Sequence, residues 1–205
     1  MEQRDYKYDN RLNSDRPEYF YGHSASSFRY PLSMDHSPLA EAKRTLGLDP
    51  DVSHLVVLGG SRINDFMDEL VSMIYVGDDT DSEISIICGS DKRSYGNLTE
   101  SLGHIETIHV YETPDTLSRI LDSADLLLSE AHSIVASEAS KRSLPLILAD
   151  TGDPAQKELL ETLVKKGCAA SGHGDTSLAE LCIALLSDEP RRVRMASCWE
   201  ERKQT

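Results

Sequence analysis

The chain has 205 residues, 39% hydrophobic and 27% charged, a globular composition that excludes wholesale disorder. This length holds one sizeable domain with an appended segment but hardly two full domains. The formal net charge is −14, from 21 Lys and Arg against 35 Asp and Glu, so the chain repels phosphate backbones and anionic lipid headgroups and nucleic acid is not expected as a partner.

Residues 1–38 mix charges, tyrosines (Tyr6, Tyr8, Tyr19, Tyr21, Tyr30) and prolines without sustained periodicity, and read as a flexible tail or linker. No apolar run is long enough to cross a bilayer, and MEQRDYKYDN lacks the apolar core of a signal peptide, so a cytoplasmic protein is expected. The folded domain is predicted over 39–205. It opens with a short helix, Leu39 to Leu46, stopped by Gly47 and by Asp49-Pro50.

From His54 onward, apolar runs of strand length alternate with segments of helical period. LVVLGG (55–60) leads into a helix over Arg62 to Tyr75, and ISIICG (84–89) into one around Tyr95 to Leu102. Ile105 to Val110 precedes a helix at Thr116 to Ser123, and Leu126 to Leu128 precedes one at Ser133 to Arg142. Leu144 to Leu148 then leads into a helix over Ala155 to Lys166. A sixth short strand at Cys168 to Ala170 and helices at Ser177 to Leu186 and Glu189 to about Arg202 complete the pattern. Such alternation predicts an α/β domain, a Rossmann-like parallel sheet of about six strands with helices on both faces. Cys88, Cys168, Cys182 and Cys198 are widely spaced with no Cys-x-x-Cys pair, so four free thiols are expected, with neither a metal site nor a disulfide.

Open parallel sheets bind ligands beyond the carboxyl ends of their strands, which selects the turns that follow them. Gly59-Gly60-Ser61 follows the first strand; glycines there either let a phosphate approach the backbone or merely shape the turn. The spacing is neither G-x-G-x-x-G nor a P-loop, which argues against a dinucleotide domain. Gly89, after the second strand, reads first as a tight turn, and Tyr111, after the third, offers backbone groups to a nucleobase or simply starts a loop. His132 opens the helix that begins at Ser133 and reads first as a surface turn residue. In that helix Ser137 and Glu138 sit among small residues, where Glu138 is either a solvated charge or an acceptor of ribose hydroxyls.

RTLGLDPDVSHLVVLGGS, IICGS, ADLLLSEAHSIVASEASKRSLPLIL, LVKKGCAA and LAELCIALLSDEPRRVRM, taken in order from Arg44 to Arg194, resemble the C-terminal, donor-binding half of the family 28 glycosyltransferases of the GT-B fold. That family includes diacylglycerol glucosyltransferases, the plastid galactolipid synthases and the lipid II-forming N-acetylglucosaminyltransferase. The resemblance implies a UDP-sugar as donor substrate and no other cofactor. Gly59, Gly60, Ser61 and the turn at His132 and Ser133 would touch the diphosphate, Tyr111 would frame the uracil, and Ser137 and Glu138 would lie at the ribose. It also implies a separate acceptor-binding chain, because about fifty residues precede the first strand. Two departures stand out. Glu130-Ala131-His132-Ser133 occupies the place of the family's Lys-Pro-Gly-Gly, and Asp153-Pro154-Ala155-Gln156 that of Pro-Gly-Gln-Glu, with Gln156 aligned to the family glutamine after a one-residue shift. The function expected is a glycosyltransferase-like donor-binding domain for a lipid or polyprenyl acceptor. The alternative is a non-catalytic homologue used as an interaction domain.

Overall fold

The computed structural model describes residues 18–19, 31–32 and 39–201. The tail expected over 1–38 lies outside the described residues, apart from a two-residue antiparallel ladder of β1 (Glu18–Tyr19) with β2 (Pro31–Leu32). Helix α1 (Leu39–Leu46) then precedes β3 (His54–Leu58), whose five residues are all buried. An all-buried strand needs cover on both faces, which the alternation of strand and helix provides.

In chain order there follow α2 (Met67–Gly77), β4 (Glu83–Ile87), α3 (Lys92–Leu102), β5 (Ile108–Tyr111), α4 (Leu117–Asp122), β6 (Leu126–Glu130) and α5 (Ser133–Arg142). They are succeeded by β7 (Leu146–Ala149), α6 (Pro154–Lys165), β8 (Ala169–Gly172), α7 (Gly174–Leu186) and α8 (Glu189–Glu201). The six strands β3 to β8 form one parallel sheet in the order β5-β4-β3-β6-β7-β8. The order reverses between β3 and β6, so the crevice beyond their carboxyl ends is the switch point of the fold.

Each face carries its own core. One gathers Val56, Leu58 and Leu127 under α4, α5, α6 and the fully buried Trp199 of α8, whose indole N–H donates to the Leu144 carbonyl at 2.9 Å. The other packs Leu55, Val57 and Ile86 against Ile63, Leu70, Ile74, Leu178 and Leu185. Among the described residues, no helix is long and apolar enough to cross a membrane.

The expectation of four free thiols is corrected. Cys168, at the entry to β8, is bonded to Cys198 on α8, while Cys88 and Cys182 are free and buried. Thirty residues separate the pair, and only the packing of α8 back onto β8 brings them together, which spacing alone does not reveal. Burial pushes the Cys88 thiol up to about 12, with Asp91 and Glu112 acting in the same direction, and raises Cys182 as well. Neither is a ready nucleophile.

Candidate functional site

Gly59 and Gly60 leave the end of β3 in the middle of the sheet. Built onto Gly59, a Cβ would lie 2.3 Å from Asn64 Oδ1 and 2.8 Å from the Ile87 carbonyl; on Gly60 it would lie 2.3 Å from Glu130 Oε1. The glycines are therefore required by protein atoms already present. Of the five amides from Gly59 to Ile63, four have acceptors within the chain. Gly59 donates to the Ile87 carbonyl at 2.8 Å and Gly60 to Asn64 Oδ1 at 3.2 Å. Arg62 and Ile63 both donate to Glu130 Oε1, at 2.7 and 3.3 Å.

Glu130 is the last residue of β6 and is 2% exposed. Its carboxylate crosses the switch point to the loop after β3, with Ser61 Oγ at 3.5 Å and His132 Nε2 at 3.6 Å from Oε2. Burial alone would raise the Glu130 pKa, but His132 and the amides of Arg62 and Ile63 outweigh it and hold the carboxyl below its ordinary range. Glu130 is thus an ionised group in a cradle of donors. Glu130 is the first residue of the Glu130-Ala131-His132-Ser133 stretch that departs from the family's Lys-Pro-Gly-Gly.

The same cradle explains why the helix expected from Arg62 does not start there. Ile63–Asp65 forms a single 3₁₀ turn and α2 begins at Met67, because Asn64 turns its side chain back to Gly60 and outward to Asp91 Oδ2 at 3.1 Å. Asp91 caps α3 by accepting from the amides of Arg93 and Ser94, so the loops after β3 and β4 are tied together. Gly89 takes a left-handed φ of +69° and donates to the Glu112 carbonyl at 2.8 Å. The Tyr111 carbonyl accepts from Cys88 at 2.9 Å, and its half-buried ring packs on the core.

Helix α5 starts after His132, whose extended backbone (φ −111°, ψ 142°) makes it the N-cap without a side-chain capping bond. Ser133 and Ser137 are exposed. Glu138, the expected ribose acceptor, faces elsewhere: Oε1 is 2.7 Å from Lys141 Nζ and Oε2 is 2.6 Å from Arg142 Nη1, with 4% of its side chain exposed. Arg142 also reaches Asp122 at 2.7 Å and Ser118 at 3.0 Å. The carboxylate is the centre of a buried ion network between α4 and α5.

Next to the switch point lies a cleft of about 360 Å³ between Arg62, Phe66, Asp150, Thr151 and His173. His173 Nδ1 pairs with the Asp150 carbonyl at 2.8 Å, and Thr151 donates to Gln156 Oε1 at 3.2 Å, which places Gln156 at this edge. A larger hollow, about 460 Å³, opens at the opposite edge of the sheet among Asp122, Asp125, Arg142, Pro145 and Arg192. It faces the amino ends of the strands, where parallel sheets do not place their ligands.

The structure brings Gly60, Ser61 and His132 together around Glu130, and sets Gly89 beside the Tyr111 loop. Ser133 and Ser137 stay on the outer surface of α5, and Glu138 is turned away into its ion network. Arg62, Asn64 and His173 went unmarked in the sequence. The Asn-Asp pairing of Asn64 with Asp91 has no local signal, whereas Asp91-x-x-Ser94 before a helix is a capping pattern that reads directly.

No family model matches the chain. Against known proteins, it is 30% identical over 174 residues to the UDP-N-acetylglucosamine–N-acetylmuramyl-(pentapeptide) pyrophosphoryl-undecaprenol N-acetylglucosamine transferase of Thermus thermophilus, covering 82% of this chain and 48% of that protein. The enzyme of the same name from Salinibacter ruber is 23% identical over 167 residues, covering 78% and 45%. Over most of its length this chain is similar in sequence to these family 28 transferases. It spans about half the length of the relatives it matches. Among solved structures, WaaG, a glycosyltransferase involved in lipopolysaccharide biosynthesis, superimposes with a TM-score of 0.64 at 18% identity, over 93% of this chain and 51% of that one. A MurG from Acinetobacter baumannii gives 0.61 at 16% identity over 74% and 45%. The Rossmann-like sheet thus matches one half of the GT-B fold.

Proposed function

We propose that this glycosyltransferase-like domain binds the UDP-sugar of a hexosyl transfer to a lipid or polyprenyl acceptor, and that a separate chain supplies the acceptor-binding half. The observation that supports it is the cleft beside the switch point, where Arg62 of the loop after β3 faces Asp150 and Thr151 of the loop after β7, with Gln156 bonded to Thr151, in a chain similar in sequence to a UDP-N-acetylglucosamine transferase. In such a transfer the acceptor oxygen bonds to the anomeric carbon as the bond from that carbon to the UDP oxygen breaks. The acceptor proton passes to a base on the partner, and the cation of Arg62, which lines the cleft, stabilises the departing diphosphate. A cytoplasmic location goes with this reading, although the Cys168–Cys198 bond pulls against it, since structural disulfides persist in oxidising compartments.

A second reading, a non-catalytic homologue serving as an interaction domain, is favoured by Glu138, which is sequestered between Lys141 and Arg142. Isothermal titration with UDP and UDP-hexoses separates the two. Donor binding predicts saturable heat with the hexose adding affinity in wild type and losing that increment in Gln156→Ala. Absence of binding at millimolar ligand leaves the interaction domain.

A further inference from the structure

We propose that Glu130 is a built-in anion standing at the diphosphate position of the switch point, and that it sets the affinity of this chain for diphosphates. The inference rests on the donor-binding reading above and adds the residue that controls it. In doubly wound sheets the phosphate of a nucleotide lies against the amides that follow the central strand. Here that strand is β3, and the amides of Arg62 and Ile63 already meet a carboxylate oxygen at 2.7 and 3.3 Å.

Three features distinguish this from a passing surface contact. The carboxylate is 2% exposed and reaches across from β6, 68 residues away in sequence. Gly60 leaves the space that Oε1 fills, so the loop is shaped around the acid. Ser61 and His132 approach the other oxygen, which gives the carboxylate donors on both sides. A diphosphate entering the same loop would have to displace Glu130 from its amides or accept a like charge within a few ångströms, and either lowers its affinity.

A plain structural role makes a different forecast. If Glu130 only braces the turn, its removal loosens the loop and improves binding of nothing. Glu130→Gln separates the two roles, because its amide oxygen still accepts from Arg62 while the charge is gone; Glu130→Ala clears the position altogether.

The test titrates wild type, Glu130→Gln and Glu130→Ala with inorganic pyrophosphate and with UDP, after thermal melts establish which variants fold. Expected is a gain in pyrophosphate and UDP affinity of about tenfold or more in Glu130→Ala, with Glu130→Gln between it and wild type. Affinities within twofold across the folded proteins overturn the proposal while leaving donor binding intact. A gain for pyrophosphate with UDP no tighter than pyrophosphate upholds the anion position and removes the nucleotide reading. Neither ligand binding any of the three at millimolar concentration overturns both. Should Glu130→Ala fail to melt cooperatively, the comparison of Glu130→Gln with wild type decides by the same criteria.

Discussion

The two edges of the sheet bury charge in opposite ways. At the carboxyl edge the buried charge is an acid, Glu130, and its partners are backbone amides. At the amino edge buried cations meet carbonyls and buried carboxylates. Lys43 donates to the Val52 carbonyl at 2.7 Å and pairs with Asp125 at 2.7 Å, while the Arg192 guanidinium bonds the Leu185 and Leu186 carbonyls at the end of α7. In a parallel sheet with right-handed crossovers, helix N-termini collect at one edge and C-termini at the other, so amides prevail at the first and carbonyls at the second. The amino edge is closed by side chains that belong to it. The carboxyl edge presents a donor-rich hollow, and in this chain a side chain has entered it.

The largest effect should come from breaking the amino-edge ion network. Arg142→Ala deprives Glu138 and Asp122 of a cation that all three side chains, 5% exposed or less, bury together. A loss of about 3–5 kcal/mol in urea unfolding is expected. Reducing the Cys168–Cys198 bond, which closes a segment of 30 residues, should cost about 2–4 kcal/mol and lower the melting midpoint without changing the far-UV spectrum of the folded state.

His54 gives a pH-dependent effect. It is fully buried and bridges Ser123 and Ser85, and burial lowers its pKa from 6.5 to about 4. Between those values the unfolded chain takes up a proton that the folded chain refuses, so stability falls as pH drops through this window, by up to ~3 kcal/mol in total. His54→Gln should flatten that limb when urea midpoints are compared at pH 7 and pH 5; an unchanged slope would place the acid sensitivity elsewhere.

Gly60→Ala presses a methyl group against Glu130 Oε1, and a cost of about 1–3 kcal/mol is expected, relieved in a Glu130→Ala background. Additive costs in that double mutant would separate the glycine from the acid. The smallest change is Lys157→Ala, which removes an exposed pair with Glu161 at 3.8 Å and should shift stability by no more than about 0.5 kcal/mol.

The contrast also explains what the sequence made legible. The parallel sheet was readable because β7 is a continuous apolar run and β3 and β4 are nearly so, broken only by His54, Glu83 and Ser85, a pattern that two-sided burial produces. β6 runs two residues beyond its apolar stretch, through Ser129 and Glu130, both buried and polar, and no hydrophobic pattern announces that extension. The partners of Glu138 went unread for a related reason. The residue sits where the family resemblance puts an acid, but Lys141 and Arg142, three and four residues on, share its helix face and claim its oxygens. The β-branched Ile105 and Thr107 make the segment before β5 resemble a strand, yet Ile105 donates to the Leu102 carbonyl in a turn, and pairing with β4 starts at Ile108. What could be read locally was the periodicity of the elements. What could not was which distant loop each end would touch.

The strand order carries a consequence for how the chain acquires its shape. β3 and β4 are joined through one helix, as are β6 and β7, so each half can assemble from near neighbours in sequence. β3 and β6 are neighbours in space but belong to different halves, and bringing them side by side closes the longest loop in the sheet, the kind of contact that slows folding. The contact of Glu130 with Arg62 and Ile63 spans that seam. It exists only once the two halves have met, so the carboxylate at the mouth of the crevice is also a marker that the crevice has been built.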